Sequence, residues 1–308
     1  MKNLICFLVG GIILSYAPLS ADLETTVAGS EEMVMPQEEE SHPFTFQIYG
    51  DNICKSKFKD SDDEGQISFN EYQVEFGIVY YYNPSCVEGA NITLNYTRDE
   101  LRWNENPSFD QEHFNTATIA FGGFTQRLCN WLWQAQVAFN IDTDHVKEIA
   151  SYTTYDILLW GRYDYCQDLG IHVGFLAQTG LQIDRVYPVL GVDWTLGCNW
   201  KLNLIFPLNI SLVYNITDNF SLALATRFFS SRHRVNEHEE LERAVFAYRN
   251  GGLELAANYN IGSCFKFNVH GGYTSGGTLK IANRHNDHPH HYRFKSAPYY
   301  GGELTFSF

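Results

Sequence analysis

The last stretch of the chain, Pro298–Phe308, reads P-Y-Y-G-G-E-L-T-F-S-F. Every second residue from Tyr300 to Phe308 forms an apolar row (Tyr300, Gly302, Leu304, Phe306, Phe308). The residues between (Gly301, Glu303, Thr305, Ser307) are small or polar. That period-2 alternation is a β-strand with one oily and one wet face. The strand stops on a C-terminal Phe. A soluble domain gains little from an aromatic residue at its frayed end, whereas an outer-membrane β-barrel uses a terminal alternating strand ending in Phe as its assembly signal, here Phe308. The competing reading of this stretch alone is an edge strand of a β-sandwich.

The start of the chain sets the compartment. Lys2 precedes an apolar run, Leu4–Leu14, followed by small residues at Ala17, Ser20 and Ala21. This is a signal peptide over residues 1–21, since a membrane helix would need roughly 20 apolar residues. Residues 22–42 then carry Asp22, Glu24, Glu31, Glu32, Glu38, Glu39 and Glu40 with no Lys or Arg. That composition marks a disordered acidic leader, leaving residues 43–308 for the folded domain. With a net charge of −15 and such a leader, nucleic acid is excluded as a partner, because phosphate backbones need a basic face.

The body alternates throughout. Tyr72, Val74, Phe76, Ile78 and Tyr80 oppose Glu71, Gln73, Glu75 and Gly77; Leu253, Leu255, Ala257 and Tyr259 oppose Glu254, Asn258 and Asn260. In a sandwich the polar rows would face bulk water and carry many Lys and Glu. Here they carry Gly, Asn, Thr, Gln and spaced charges, sizes that suit a crowded lumen. Several strands sustain the pattern for about 10 residues, the length of a tilted bilayer crossing, and aromatics cluster at their ends. The expected fold is an all-β, transmembrane, antiparallel up-and-down barrel. Short turns (84–89, 127–130, 166–168, 197–199, 217–219, 262–263) alternate with long polar loops (51–66, 99–110, 142–150, 178–185, 234–242, 278–291). Twelve strands are favoured within a range of ten to fourteen. The count turns on 200–208, where Pro207 interrupts either one strand or a very tight hairpin.

The segment from Val186 to Phe229, V-Y-P-V-L-G-V-D-W…W-K-L-N-L-I-F-P…L-V-Y-N-I-T-D-N-F-S-L, resembles an uncharacterised Gram-negative outer-membrane β-barrel family known as a domain of unknown function. The resemblance covers Val186–Phe308, and Trp200 to Pro207 is its most specific piece. It implies a barrel in the outer membrane and brings no established activity and no catalytic residues.

Six cysteines remain after the signal peptide: Cys54, Cys86, Cys129, Cys166, Cys198 and Cys264. The last five sit in or beside short turns and therefore share the periplasmic rim, an oxidising place that favours disulfides. Adjacent turns on one rim stand two strands, roughly 10 Å, apart, beyond the ~7 Å that an intrachain bridge tolerates. Bridges to other envelope proteins, or a reduced state, are the expectation. Two loops have metal-binding character. Asp60, Asp62, Glu64 and Glu71 match positions of a Ca²⁺ loop, but the exiting segment has period 2, so an acidic outer loop is the preferred reading. His285, Asp287, His288, His290 and His291 could hold Zn²⁺ or form an ordinary exposed turn. No cofactor is otherwise implied.

No catalytic set is legible. Ser230, Ser231 and His233 occur, but no spacing identifies a triad, and G-x-S-x-G, Walker and H-E-x-x-H motifs are absent. The lumen-facing candidates are Glu71, Glu75, Asp156, Arg162, Asp193, Arg227, Glu254, Lys266 and His270. These readings point to a porin-like passive channel for small solutes. The rival is a structural or surface-interaction protein knitted into the envelope through its turn cysteines. Either protein is a non-enzyme whose partners are outer-membrane lipids and the barrel-assembly machinery.

Overall fold

Phe44 and Phe308 exchange both backbone hydrogen bonds, at 3.0 and 3.1 Å, and their rings stack with centroids 5.6 Å apart. The last strand thus lies beside the first and closes a ring. The computed structural model describes residues 43–59, 65–85, 87–104, 106–128, 131–144, 152–181, 184–283, 285, 287 and 289–308. The expected signal peptide and acidic leader, residues 1–42, fall outside the described residues, as do Asp60, Asp62, Glu64, Cys86, Cys129 and His288.

The strands are β1 (Phe44–Lys57), β2 (Gln66–Asn83), β3 (Glu88–Trp103), β4 (His113–Leu128), β5 (Trp131–Asp142), β6 (Thr154–Cys166), β7 (Leu169–Thr179) and β8 (Arg185–Leu196). They continue with β9 (Trp200–Phe206), β10 (Asn209–Thr217), β11 (Phe220–Arg234), β12 (Val245–Ile261), β13 (Phe265–Thr274), β14 (Thr278–Ala282), β15 (His290–Arg293) and β16 (Pro298–Ser307). Each strand from β1 to β12 pairs antiparallel with the next, up to β12 with β13; β13 pairs β16, and β16 pairs β1. Fourteen strands therefore close the barrel, two more than the favoured twelve and within the expected range. The extra pair comes from the stretch where the sequence was ambiguous: Pro207 and Leu208 turn a hairpin between β9 and β10. β14 and β15 stand outside the ring, added to the outer half of β12.

The alternation read from the sequence becomes two faces. Tyr72, Val74, Leu94, Phe121, Leu224, Leu255 and Phe306 are exposed on the outer face. An isolated sheet would not leave such residues in water, and a hydrocarbon layer covers them. Tyr80, Tyr165, Trp194, Trp200 and Tyr214 mark the belt nearer the short turns; Tyr72, Tyr96, Tyr155, Tyr273 and Tyr300 mark the other. This is an outer-membrane barrel, with both described chain ends on the short-turn rim.

Strand limits correct three of the expected loops. β1 runs on to Lys57 and β3 to Trp103, so most of 51–57 and 99–103 is strand; β14 lies within 278–291. The strands outrun the bilayer there and the pattern inverts: polar residues (Asn52, Asn70, Arg98, Glu100 and Arg102) take the outward row, and apolar ones (Ile53, Ile67, Phe69, Leu101 and Trp103) face inward. A reading that expects the apolar row on the lipid side loses the strand at that level.

The largest departure from a plain barrel concerns β11 and β12. Their mutual ladder is continuous from Phe220↔Tyr259 to Arg234↔Val245. The ladder to β10 stops at Ala225, and that to β13 stops at Gly252. Beyond those levels the hairpin bends into the lumen. Ser231 Oγ donates to Asp99 Oδ2 at 2.6 Å, although five strands separate β11 from β3 by the shorter way round, ~29 Å along the wall at 4.8 Å per strand. Contact is possible only across the interior. Both rows of the hairpin are accordingly buried: Ser230 to Arg234 and Val245 to Tyr248 are all under one-tenth exposed. Glycines permit the bend. A Cβ on Gly252 would lie 2.6 Å from the Tyr299 ring and 2.8 Å from the Tyr273 carbonyl.

The bent hairpin and β14 pack against the inner face of β1–β4. Ile53, Ile67, Phe69, Leu101, Trp103 and Phe114 meet Phe229, Phe246, Tyr248, Leu279 and Ile281 in one apolar cluster. Phe69 stacks on Tyr248 at 4.4 Å and Phe114 meets Phe246 edge-on at 4.6 Å. The outer end of the barrel is thus a small two-layer sandwich enclosed by the wall.

Gly301 shows how tightly the lumen below is filled. A Cβ there would lie 1.8 Å from Asp51 Oδ1 and 2.5 Å from His270 Nε2. Gly301→Val is expected to destabilise the barrel by about 3 kcal/mol or more. The check is unboiled electrophoresis, in which the fast-migrating folded band should be lost or melt at a lower temperature.

Candidate functional site

The inward rows of the fourteen strands make the site. On β1 they are Gln47, Tyr49 and Asp51; on β2 Glu71, Gln73 and Glu75; on β16 Tyr299, Gly301 and Glu303. These elements put a carboxylate-rich wall opposite the point where β11 bends inward, and Arg227 answers it. Its guanidinium forms a forked pair with Glu254 at 2.7 and 3.1 Å. It reaches Asp51 at 3.6 Å and lies over the Tyr49 ring at 5.7 Å. Asp51 in turn meets His270 Nε2 at 2.6 Å, and Tyr299 donates to Glu254 at 3.2 Å. Planar, forked geometry suits Arg to this task and not Lys.

A second network spans β6–β8. Arg162 bonds Asp193 at 2.9 and 3.1 Å and also pairs with Asp164. His172 Nε2 meets Asp193 at 2.6 Å. Trp160 donates its indole N–H to His172 Nδ1 at 3.0 Å. An indole can only donate, so Nδ1 is the acceptor and Nε2 carries the proton towards Asp193. Gly170 leaves the room: a Cβ there would lie 2.3 Å from the Asp193 carboxylate. A third chain runs from Thr118 to Asn140 at 2.8 Å and on to Asp156 at 2.6 Å.

The predicted lumen residues therefore fall into partnerships. Arg162 finds Asp193, Arg227 finds Glu254, His270 finds Asp51, and Asp156 finds Asn140. Glu71 is fully buried in β2 opposite Asp51, Glu75 is half-buried beside Gln73, and Lys266 lies in the inward row of β13 with Asn268 and His270. Sequence reasoning missed Tyr49, Asp51, Asp99 and Tyr299. Asp51 and Asp99 were read as the first residues of loops, whereas alternation continued one more turn of the pleat through Ile53 and Leu101.

The stopper has its own latch. His233 Nε2 meets Asp99 Oδ2 at 2.9 Å, the same oxygen that accepts from Ser231. Ser231 and His233 thus converge on Asp99, yet the hydroxyl proton goes to the carboxylate, which ties the hairpin to the wall without activating a nucleophile. At the tip, Leu241 N–H donates to Ser108 O at 3.0 Å and Asn236 N–H to Gln111 at 3.0 Å. The outward row of the hairpin places Arg232 and Arg234 towards β5–β8, and Arg234 lies 5.4 Å over the Tyr152 ring. On β14, outside the membrane-spanning strands, burial and the Arg185 guanidinium hold the Lys280 ammonium below its usual range.

The proposed metal loops do not assemble among the described residues. Glu71 sits mid-strand and faces the lumen, not a loop. His285, Asp287, His290 and His291 are exposed, and adjacent residues on β15 point to opposite faces. No group of three or more metal-ligating side chains converges among the described residues. Cys166 and Cys198 are exposed free thiols on the short-turn rim, where Cys264 lies half-buried, and Cys54 is a half-buried free thiol in β1.

A family model for a domain of unknown function, DUF6268, matches residues 139–307. The chain belongs to that family. The match begins in β5, earlier than the resemblance read from Val186. An uncharacterized protein of Chlamydia pneumoniae is 27% identical over 65% of this chain and 63% of its own length, so the alignment spans under two thirds of that relative. One from Chlamydia trachomatis serovar D is 24% identical over 86% of this chain and 87% of its own. An outer membrane channel from Pseudomonas putida F1 is similar in fold, with a TM-score of 0.47 and 10% identity over 89% of this chain and 99% of that one.

Removing Arg227 would leave Glu254 and Asp51 as buried charges short of their counter-ion. Arg227→Met is expected to cost about 3–5 kcal/mol, read as a lower urea midpoint in detergent micelles. Arg227→Lys should recover only part of it.

Proposed function

We propose that this DUF6268 protein is a passive outer-membrane channel for small solutes, closed at its outer mouth by its own β11–β12 hairpin. The observation that carries this reading is a polar interior beneath a stopper held by side chains. Above Ala225 and Gly252 the hairpin has no backbone ladder to β10 or β13. It is retained by the Asp99 latch, the tip contacts and the apolar cluster, all of which break without unpairing any strand of the ring. Beneath it carboxylates (Asp51, Glu71, Glu75, Asp156, Asp193, Glu254 and Glu303) outnumber Arg162, Arg227 and Lys266, so the lumen suits small neutral or cationic solutes better than anions. No catalytic step is assigned to any residue.

A second reading, a structural envelope protein, is favoured by the exposed thiols of Cys166 and Cys198 on one rim. In an oxidising periplasm these could bridge to neighbours. Non-reducing electrophoresis of envelopes separates the two. Reductant-sensitive high-mass species that vanish in Cys166→Ser/Cys198→Ser support cross-linking, and monomer under both conditions removes it.

For the channel, planar-bilayer recording of the purified protein should give rare, brief openings. Phe246→Ala removes a fully buried ring that packs on Phe109 and Phe114, worth about 3–5 kcal/mol of docking. Its open probability should rise by at least tenfold. Silence from both proteins, each migrating as a folded barrel, would rule the channel out.

A further inference from the structure

The wall is interrupted where β9 and β10 turn. These are the two shortest strands of the ring, 7 and 9 residues, and they double back at Pro207 and Leu208. The ladder between β8 and β9 stops at Leu190↔Phe206. Arg185–Val189 of β8 therefore has β7 on one side and no strand on the other. Beyond the short hairpin, β11 leaves β10 above Ala225 and β12 leaves β13 above Gly252. Among the described residues no strand continues the ring between β8 and β13 above these levels, and the barrel has a gap in its side.

Pro188 shows that the gap belongs to the fold. Thr195 N–H donates to Asp168 O, on the β7 side of β8. Successive residues of a strand turn their backbone groups to alternate sides. In the unbroken β7–β8 register those of Pro188 therefore point the other way, into the gap, as those of Leu190 point to β9. Proline has no N–H and is accepted in a strand at an edge. An amide at that position would lack an acceptor, which hydrocarbon does not tolerate.

The depth is that of the bilayer. Pro188 is in register, through Phe175, with Leu159, four residues below Tyr155 of the outer aromatic belt. Val186 and Leu190 on either side of it are 68% and 56% exposed. Behind the gap the lining is apolar. Leu208 packs with Leu158 and Tyr187 on Leu176, which belongs to the inward row of β7, and inward-facing Val189 is buried. Elsewhere below the stopper the inward rows carry polar groups such as Arg162, Asp193 and Glu254. Phe228, half-buried, forms the back: it continues the lipid-facing row of Leu222 and Leu224 past the point where β11 leaves the wall.

We infer that this gap is a lipid site: an acyl chain of the outer leaflet enters sideways, between β8 and the bent β11–β12 hairpin, and lies against Pro188, Leu208 and Phe228. The recess is continuous with the lipid-facing wall, so its occupant is the hydrocarbon that already covers that wall. Water there would wet apolar groups on every side, and an added strand from another chain would find no donor at Pro188. The site does not depend on the channel reading, because it concerns the wall and not conduction.

Photo-crosslinking tests it. The full-length barrel carries p-benzoylphenylalanine at one position, is reconstituted into dioleoylphosphatidylcholine vesicles and irradiated, and its lipid adducts are measured by mass spectrometry. Phe121→p-benzoylphenylalanine, on the lipid face, sets the full yield, and Trp160→p-benzoylphenylalanine, in the lumen, sets the background. The same exchange at Phe228 and at Leu208 should give roughly tenfold more adduct than at Trp160, as contact with hydrocarbon demands. Thr226→Trp puts a ring into the recess from the lipid-facing row and should cut the Phe228 adduct roughly threefold or more, with the folded band retained. Yields at Phe228 and Leu208 no higher than at Trp160, in barrels that migrate as folded, overturn the site. A Phe228 yield that Thr226→Trp leaves undiminished means that lipid arrives through the mouth, and overturns the sideways entry. Should the Leu208 variant fail to fold, the Phe228 variant, which exchanges one aromatic ring for another, decides alone.

Discussion

A backbone amide in hydrocarbon must be bonded to another backbone group, because each one left bare costs several kcal/mol. In this chain that demand is met strand by strand around the whole ring, up to the level of Ala225 on β11 and Gly252 on β12. Above it the demand relaxes. β11 and β12 keep each other's hydrogen bonds and β14 takes over one edge, so the pair can leave the wall without exposing its backbone to lipid. Everything specific to this barrel follows from that release: the occupied mouth, the apolar cluster against β1–β4, and the gap left between β8 and β13.

The interior then has two regimes. Towards the short turns it is a packed polar lattice rich in carboxylates, in which Arg227 and Arg162 each hold one by two hydrogen bonds. Towards the outside it is a hydrophobic core of the kind that soluble proteins build between two sheets. The competing architectures that the sequence suggests, lipid-facing barrel and water-facing sandwich, are both present, stacked along one axis. Their boundary is the level at which the outward face loses its lipid contact and the inward face gains a second layer.

How much of this was legible follows from that boundary. Where one face met lipid, alternation was sharp, and the pattern through Tyr72–Ile78 or Leu253–Tyr259 located strands, faces and short turns together. Inward residues such as Arg162, Asp193, Arg227 and Glu254 could be named because the period assigned their side. Their pairings could not, because partners such as Arg227 and Asp51 lie on strands far apart in sequence and meet only after the ring closes. Above the bilayer the same method failed. Asn70, Arg98 and Glu100 fill the outward row while Ile53, Phe69 and Leu101 face inward, so the apolar row changes sides, and β1 and β3 seemed to end early. Nothing in Phe220–Arg234 signals a bend: Phe228, Ser230, Arg232 and Arg234 alternate as any strand might. Only the burial of both rows reveals that it has gone inside.

The seam between the two ends of the chain also governs how the molecule can be made. Phe44 and Phe308 share reciprocal backbone bonds, and the register between those strands runs over nine residue pairs. The first strand therefore waits, with one edge open, until β16 has been synthesised and delivered. Such maximal sequence separation makes the closing contact slow to find. An unpaired edge is also a template for promiscuous pairing. The order in which this cylinder is sealed is thus fixed by its own connectivity: the edge of β1 stays open through the making of every strand that lies between it and β16.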